Sequence, residues 1–316
     1  MTSITTAIDA FLAHRRQKNV SPATLALYTR LLNRWQDWRT ARGLAALLAD
    51  VRVTDFTDFL AALLADGKAP NTIDSYRRTL RAWWRFCAGE GWLSADQAQY
   101  WANDRIPRPL GTEPEPRPYC EDDQFEALLE AAGDGADEKS ARDRAILLLL
   151  WESGMRAGEL CGLTDAQLDT RNRQASIVGK GRKRAWVFWG SRAGAALLRY
   201  IALRRGERGG ALPVFRGVSS RNNGGPLTPN AVRLMIKALG VKLPKGAPVH
   251  FLRHAFAHRN LDAGLETSQV QQLMRHSSIE TTLRYLLERP DRLRALHQRG
   301  LGRKPGSGEP RSEAEG

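Results

Sequence analysis

The stretch QASIVGKGRKRAWVFW, residues 174–189, decides the fold class. Two apolar runs, QASIV and RAWVFW, flank GKGRK, and β-branched and aromatic residues on both sides of a short glycine-lysine segment are the pattern of a β-hairpin. Outward from it the pattern turns helical. Upstream, ARDRAILLLLW at 141–151 is apolar on nearly every side and stops at Ser153 and Gly154, and Phe125, Leu128 and Leu129 line an earlier helix. Downstream, helices are expected near Ala193, Pro229, Phe251 and Thr267. Strands do not alternate with helices in a βαβ rhythm, so a parallel sheet is not expected. The expected fold is mainly α with a small antiparallel β-sheet, in an α+β domain spanning 119–300.

Residues 1–104 read as nearly all helix. Ser21 before Pro22 has the form of an N-cap with proline in the first turn, and Leu25, Tyr28, Leu32, Trp35 and Trp38 follow at helical spacing. A second helix is expected from a cap at Thr54 to Gly67, burying Phe56, Phe59, Leu60, Leu63 and Leu64. A third follows Pro70 and Asn71, with Ile73, Tyr76, Leu80, Trp83, Trp84 and Cys87 apolar and Arg77, Arg78, Arg81 and Arg85 charged. Those arginines are either a solvated face or a DNA-contacting one. A neighbouring domain that handles DNA favours contact.

Between the two regions, RIPRPLGTEPEPRP at 105–118 is a linker, because its prolines disfavour helix and withhold sheet donors. Residues 301–316 are polar, rich in Gly and Pro, and are expected to be a disordered tail. A chain of 316 residues suits two folded units, and 42% apolar content excludes wholesale disorder. Lys and Arg number 48 against 34 Asp and Glu, a formal charge of +14 that points to a polyanionic partner, nucleic acid above all. Cys87, Cys120 and Cys161 are scattered without CxxC spacing and read as reduced thiols in the core or on the surface. The segment MTSITTAIDAFLAHRRQ lacks the apolar stretch of a signal peptide, and the longest apolar run, Ala145 to Trp151, is too short to span a bilayer. The expected compartment is the cytoplasm, with no membrane partner.

Four motifs carry the chemistry: SGMRAGEL at 153–160, GKGRK at 179–183, HFLRH at 250–254 and MRHSSIETTLRY at 274–285. Taken singly, each has an ordinary alternative. Gly154 can cap a helix and leave Arg156 on the surface, Lys180 can be a solvated turn lysine interchangeable with Arg182 or Lys183, and His276 and Tyr285 can be packing residues. Their joint occurrence, in this order, resembles the tyrosine recombinase (phage integrase) family across 119–300. The segment DRLRALHQ at 291–298 resembles the bacterial chromosome- and plasmid-dimer-resolving members. The helical module at 1–104 would correspond to the family's core-binding, DNA-binding domain.

The resemblance implies a catalytic set of Arg156, Lys180, His250, Arg253, His276 and Tyr285. It also implies a partner, a double-stranded DNA recombination site, acted on by a homo-oligomer with four protomers on two duplexes joined through a Holliday junction. The chemistry is intelligible from the residue types. When a tyrosine oxygen attacks a DNA phosphate, charge builds on the nonbridging oxygens, and Arg156 and Arg253 would stabilise it with bidentate hydrogen bonds. Arginine stays protonated at working pH, so neither a metal nor another cofactor is expected. A phenol with an ordinary pKa of about 10 needs help at neutrality, and His250 is the candidate general base, acting as acid on the return. His276 would hydrogen-bond the phosphate, and Lys180 at the hairpin tip would protonate the leaving 5′ oxygen. The product is a 3′-phosphotyrosine that preserves bond energy, so ATP is not needed. Glu159, three residues after Arg156, would hold its guanidinium, and Lys183, Arg77, Arg78, Arg81 and Arg85 are candidate DNA contacts.

Other readings have their own marks. A type IB topoisomerase-like enzyme would share the phosphotyrosine and relax DNA without a partner site, and a DNA-binding protein on the same fold would bind without cutting. His250, His254 and His258 recur every fourth residue, as metal ligands on a helix can, but a nearby carboxylate ligand is lacking and Arg253 lies among them. His254 and His258 are therefore expected to be structural or surface residues. Arg275 stands where glycine commonly precedes the family's histidine, as a candidate extra phosphate contact, and Leu286 and Leu287 follow the nucleophile where polar residues are common.

Overall fold

The computed structural model describes residues 2–101, 106, 118–178, 184–206, 209–218, 224–244, 246–276, 282–283, 285 and 294. The hairpin tip with Lys180 and Lys183, all of 105–117 except Ile106, residues 286–293 and the expected tail at 301–316 lie outside them. The chain divides into two compact units, Met1–Glu115 and Pro116–Gly316.

The first unit contains α1 (Ile4–Gln17), α2 (Pro22–Thr40), α3 (Val53–Ala65), α4 (Pro70–Gly89) and the short α5 (Ala95–Ala98). The cap read at Ser21 is present, its hydroxyl accepting from the Thr24 N–H at 3.2 Å ahead of Pro22. The cap expected at Thr54 is not. Helix α3 starts at Val53, because the Asp55 carboxylate reaches back to the Arg52 N–H at 3.0 Å and satisfies the helix start two residues earlier. The core is aromatic, with Trp35 stacked on Phe56 at 5.3 Å between ring centroids and edge-on to Trp83 at 5.2 Å. Each such side chain contributes roughly 1.5–3 kcal/mol by burial.

The four arginines of α4 do not share a solvent face. Arg77 is buried and its Nε donates to Asp74 at 3.0 Å, Arg78 is exposed and pairs with the same carboxylate at 2.6 Å, Arg81 is half-buried, and Arg85 is exposed. Within a helix whose apolar stripe is this wide, the position four after Ile73 and three before Leu80 falls on its edge, which draws Arg77 inward.

The second unit is built around α7 (Glu138–Ser153), whose residues from Ala145 to Trp151 are all buried. A helix apolar on all sides belongs in the centre of a domain. It packs on α6 (Asp122–Ala131), α9 (Ser191–Leu203) and α11 (Pro248–Asp262), with Phe125 stacked flat on Trp151 at 4.0 Å. Among the described residues the unit also contains α8 (Ala157–Cys161), α10 (Pro229–Ala238) and α12 (Thr267–Met274). The hairpin forms as read: β2 (Gln174–Val178) pairs antiparallel with β3 (Arg184–Phe188), from Gln174 opposite Phe188 to Val178 opposite Arg184. A two-residue strand, β1 (Leu168–Asp169), adds to β2 and makes the sheet three-stranded. Along β3, Val187 faces the core while Trp186 and Phe188 are exposed, the alternation of a sheet with one covered face.

All three cysteines are buried and free, and burial pushes the thiols of Cys87 and Cys120 up to about 12 and that of Cys161 up to about 11. They are core residues without thiolate reactivity at neutral pH.

Candidate active site

The site is assembled from two helix ends and one helix face. Helix α7 stops at Gly154, which has φ +58° and ψ +26°. A Cβ there would lie 2.5 Å from the Phe256 ring, so both the backbone and the space require glycine. The turn delivers Arg156 as the N-cap of α8, whose first turn carries Glu159. The Glu159 carboxylate accepts from the Arg156 N–H at 2.9 Å and from Arg156 Nη1 at 2.7 Å. The local ion pair expected from the three-residue spacing is therefore formed.

Helix α11 presents Arg253. Its guanidinium is buried and donates to the carbonyls of Gly154 and Met274, joining the end of α7 to the end of α12. Burial, then the positive charges of Arg156 and Arg275, push Arg253 down to about 9, which leaves it protonated at neutral pH. Glu159 is raised by burial, but Arg275 and the hydrogen bonds from Arg156 and Arg275 outweigh this and hold it below the usual carboxylate range.

Helix α12 ends at Arg275 in a left-handed conformation, followed by His276, whose Nδ1 lies 2.8 Å from the Thr282 hydroxyl. Arg275 does not extend toward solvent as an extra phosphate contact. Its side chain is one-tenth exposed, and Nη2 donates to Glu159 Oε2 at 2.9 Å. Arg156 Nη2 in turn donates to the Arg275 carbonyl at 3.1 Å.

Tyr285 is buried among Phe256, Ala257, Leu261, Val270 and Met274. Its hydroxyl lies 2.6 Å from His254 Nδ1, and its ring is edge-on to His258 at 5.3 Å and parallel to His276 at 6.4 Å between centroids. The expectation that His254 is a structural or surface residue is thus corrected: this imidazole meets the tyrosine oxygen. His250 is exposed one turn earlier on α11, with its ring 6.4 Å from that of His254. His258 is buried against Tyr119, ring centroids 4.3 Å apart, in keeping with a structural part. Among the described residues no cluster of His, Cys, Asp and Glu is arranged to hold a metal ion. The structure brings together Arg156, Glu159, Arg253, His276 and Tyr285 with His254 and Arg275, while Lys180 lies outside the described residues. Sequence periodicity offered one sign of His254: it shares a helical face with His250.

A helical unit with a small antiparallel sheet, in which buried guanidiniums gather beside a tyrosine and an imidazole, has the layout of a tyrosine-type DNA strand transferase. Residues 118–291 match the phage integrase family. Tyrosine recombinase XerC of Pseudomonas fluorescens is 30% identical over 284 residues, 88% of this chain and 90% of that protein, and XerC of Azotobacter vinelandii is 32% identical over 280 residues with the same coverage. Among solved structures, the Tn1549 transposon integrase in complex with a circular intermediate DNA superposes with a TM-score of 0.72 at 23% identity, covering 95% of this chain and 99% of that one. The XerH site-specific recombinase bound to a palindromic difH substrate superposes with a TM-score of 0.67 at 18% identity, covering 94% and 85%. The chain belongs to the phage integrase family, whose members include tyrosine recombinases, and its mainly helical fold with a small antiparallel sheet is theirs. No helix among the described residues is long and apolar enough to cross a membrane.

Proposed function

We propose that this chain cleaves and rejoins DNA at a specific recombination site, with Tyr285 as the nucleophile. The observation that carries the reading is the placement of Tyr285: its hydroxyl meets an imidazole at 2.6 Å, and its ring shares a cluster with Met274, whose carbonyl is held by Arg253. In the reaction the tyrosine oxygen attacks the scissile phosphorus, the bond to the 5′ oxygen breaks, and a 3′-phosphotyrosine remains. Arg156 and Arg253 stabilise the charge on the nonbridging oxygens. His276 donates a hydrogen bond to the same phosphate, and Lys180 protonates the departing 5′ oxygen. Hydrogen-bond reach is the first requirement for proton transfer. The 2.6 Å contact between His254 Nδ1 and the phenol supports an acid-base role for His254 beside His250 on α11. Glu159 holds Arg156.

The module at 1–104 is assigned to DNA binding through Arg78, Arg81 and Arg85, with Lys183 at the hairpin and 105–118 as linker; Arg77 acts within the module through Asp74. The surplus of +14 supports a polyanionic partner. Exchange between two duplexes requires four protomers and a Holliday junction, and the cytoplasm is the compartment that fits this substrate.

The test is covalent trapping in EDTA on nicked duplexes selected from a randomised pool by binding to the chain. A protein–DNA adduct is expected with the unmodified chain and none with Tyr285→Phe. An adduct that persists in that variant, or one that forms only with added metal, overturns the reading.

A further inference from the structure

Arg275 closes α12 with φ +55° and ψ +45°, a backbone that glycine adopts freely and that a residue bearing Cβ adopts only against steric strain. Such strain persists where the surroundings over-determine it, and here both halves of the residue are engaged. Its Nη1 donates to the Leu273 carbonyl at 2.5 Å and its Nη2 to Glu159 Oε2 at 2.9 Å, while its own carbonyl accepts from Arg156 Nη2 at 3.1 Å. Arg156 meets the other oxygen of the same carboxylate. The result is a closed ring: Arg156 guanidinium to Glu159 carboxylate to Arg275 guanidinium, and through the Arg275 backbone to Arg156 again.

We propose that Arg275 is a positioning residue for strand cleavage, dividing the Glu159 carboxylate so that Arg156 keeps both its orientation and its charge for the phosphate. The inference rests on the reading that Arg156 grips the scissile phosphate. A carboxylate can engage one guanidinium with two parallel hydrogen bonds, and so occupied, that fork presents neither a free edge nor a net charge to a second anion. Arg275 Nη2 and the Arg156 backbone N–H share Oε2, each at 2.9 Å, so that the Arg156 guanidinium meets Oε1 alone. Arg275 also leaves the cluster positive, with the Arg156, Arg253 and Arg275 guanidiniums around the Glu159 carboxylate.

Arg275→Gly separates this role from a structural one, because glycine relieves the backbone strain while removing the guanidinium. On a nicked duplex selected from a randomised pool by binding to the unmodified chain, we expect Arg275→Gly to slow formation of the covalent adduct by roughly tenfold, the scale of losing an orienting partner. DNA affinity, read by gel shift, should be unchanged, and the melting midpoint should not fall. Arg275→Lys should recover part of the rate by meeting Glu159 with a single ammonium. In a double-mutant cycle, Glu159→Gln should cost less in the Arg275→Gly background than alone, because one acts through the other. A wild-type rate in Arg275→Gly, a slowing that merely follows a lowered melting midpoint, or strictly additive effects in the cycle would each overturn the inference. If Tyr285→Phe still forms an adduct, the functional reading itself fails; if only the Arg275 result fails, that reading stands.

Discussion

Each unit contains buried arginines beside a carboxylate, and the two clusters are built to opposite ends. In the first unit Arg39 pairs with Asp55, both buried, and Arg39 Nη2 donates to the Ala45 carbonyl at 2.8 Å. Asp55 also holds the Arg52 N–H at the start of α3. One cation meets one anion, and the pair ties α2, the following loop and α3 together. In the second unit the guanidiniums of Arg156, Arg253 and Arg275 surround Glu159, and Arg156 alone remains substantially open, with 39% of its side chain exposed. A balanced pair satisfies itself, whereas an unbalanced cluster is stabilised further by an anion. The surplus of positive charge, rather than burial, is the feature on which the proposed phosphate site rests.

The largest expected effect tests the balanced side. Asp55→Ala leaves a buried guanidinium uncompensated and removes the cap of α3, so we expect the first unit to lose about 3–5 kcal/mol in denaturant unfolding. A loss below about 1 kcal/mol would mean that the pair is not the device described. On the unbalanced side, Arg156→Lys keeps a charge but removes the fork, and we expect the rate of adduct formation to fall about 10²–10³-fold with little change in melting midpoint. If the midpoint fell and the rate per folded molecule did not, the two clusters would be alike and the contrast would collapse.

Two smaller effects sharpen the contrast within the second unit. Gly154 and Arg275 are both left-handed helix ends, yet only the first lacks room for a Cβ. Gly154→Ala should cost about 2–3 kcal/mol from backbone strain and the clash with Phe256, measurable by thermal unfolding; equal stability would show that Phe256 moves aside. The smallest effect is on acid stability. Because the folded Glu159 carboxyl lies below its ordinary value, its stabilising contribution is present above about pH 4.3 and is lost as pH falls through the folded value. Glu159→Gln should flatten that part of a melting-midpoint profile, and an unchanged acid limb would place the titrating group elsewhere.

Local features were legible in the sequence because they depend on neighbours in the chain. The hairpin follows from the apolar runs at 174–178 and 184–189, the cap at Ser21 from a hydroxyl ahead of proline, and the central position of α7 from the seven consecutive apolar residues Ala145 to Trp151. The Arg156 to Glu159 pair follows from three-residue spacing across a helix start, with Arg156 as N-cap and Glu159 reaching back to it. The short β1 is not legible in sequence because two residues carry no period, and α3 starts at Val53 rather than after Thr54 because the capping carboxylate comes from Asp55 inside the helix.

The sequence by itself determined which side chains the proposed chemistry can draw on: the order of Arg156, Lys180, His250, Arg253, His276 and Tyr285, and an excess of positive charge. Only the tertiary structure decided how the parts meet. It set His254 against Tyr285 across 31 positions of chain, turned Arg275 inward to Glu159 across 116, and buried Arg77 beside Asp74. Helical period places residues on a face, but whether that face meets solvent, a carboxylate or a phenol is settled by the packing of distant elements, which local spacing does not encode.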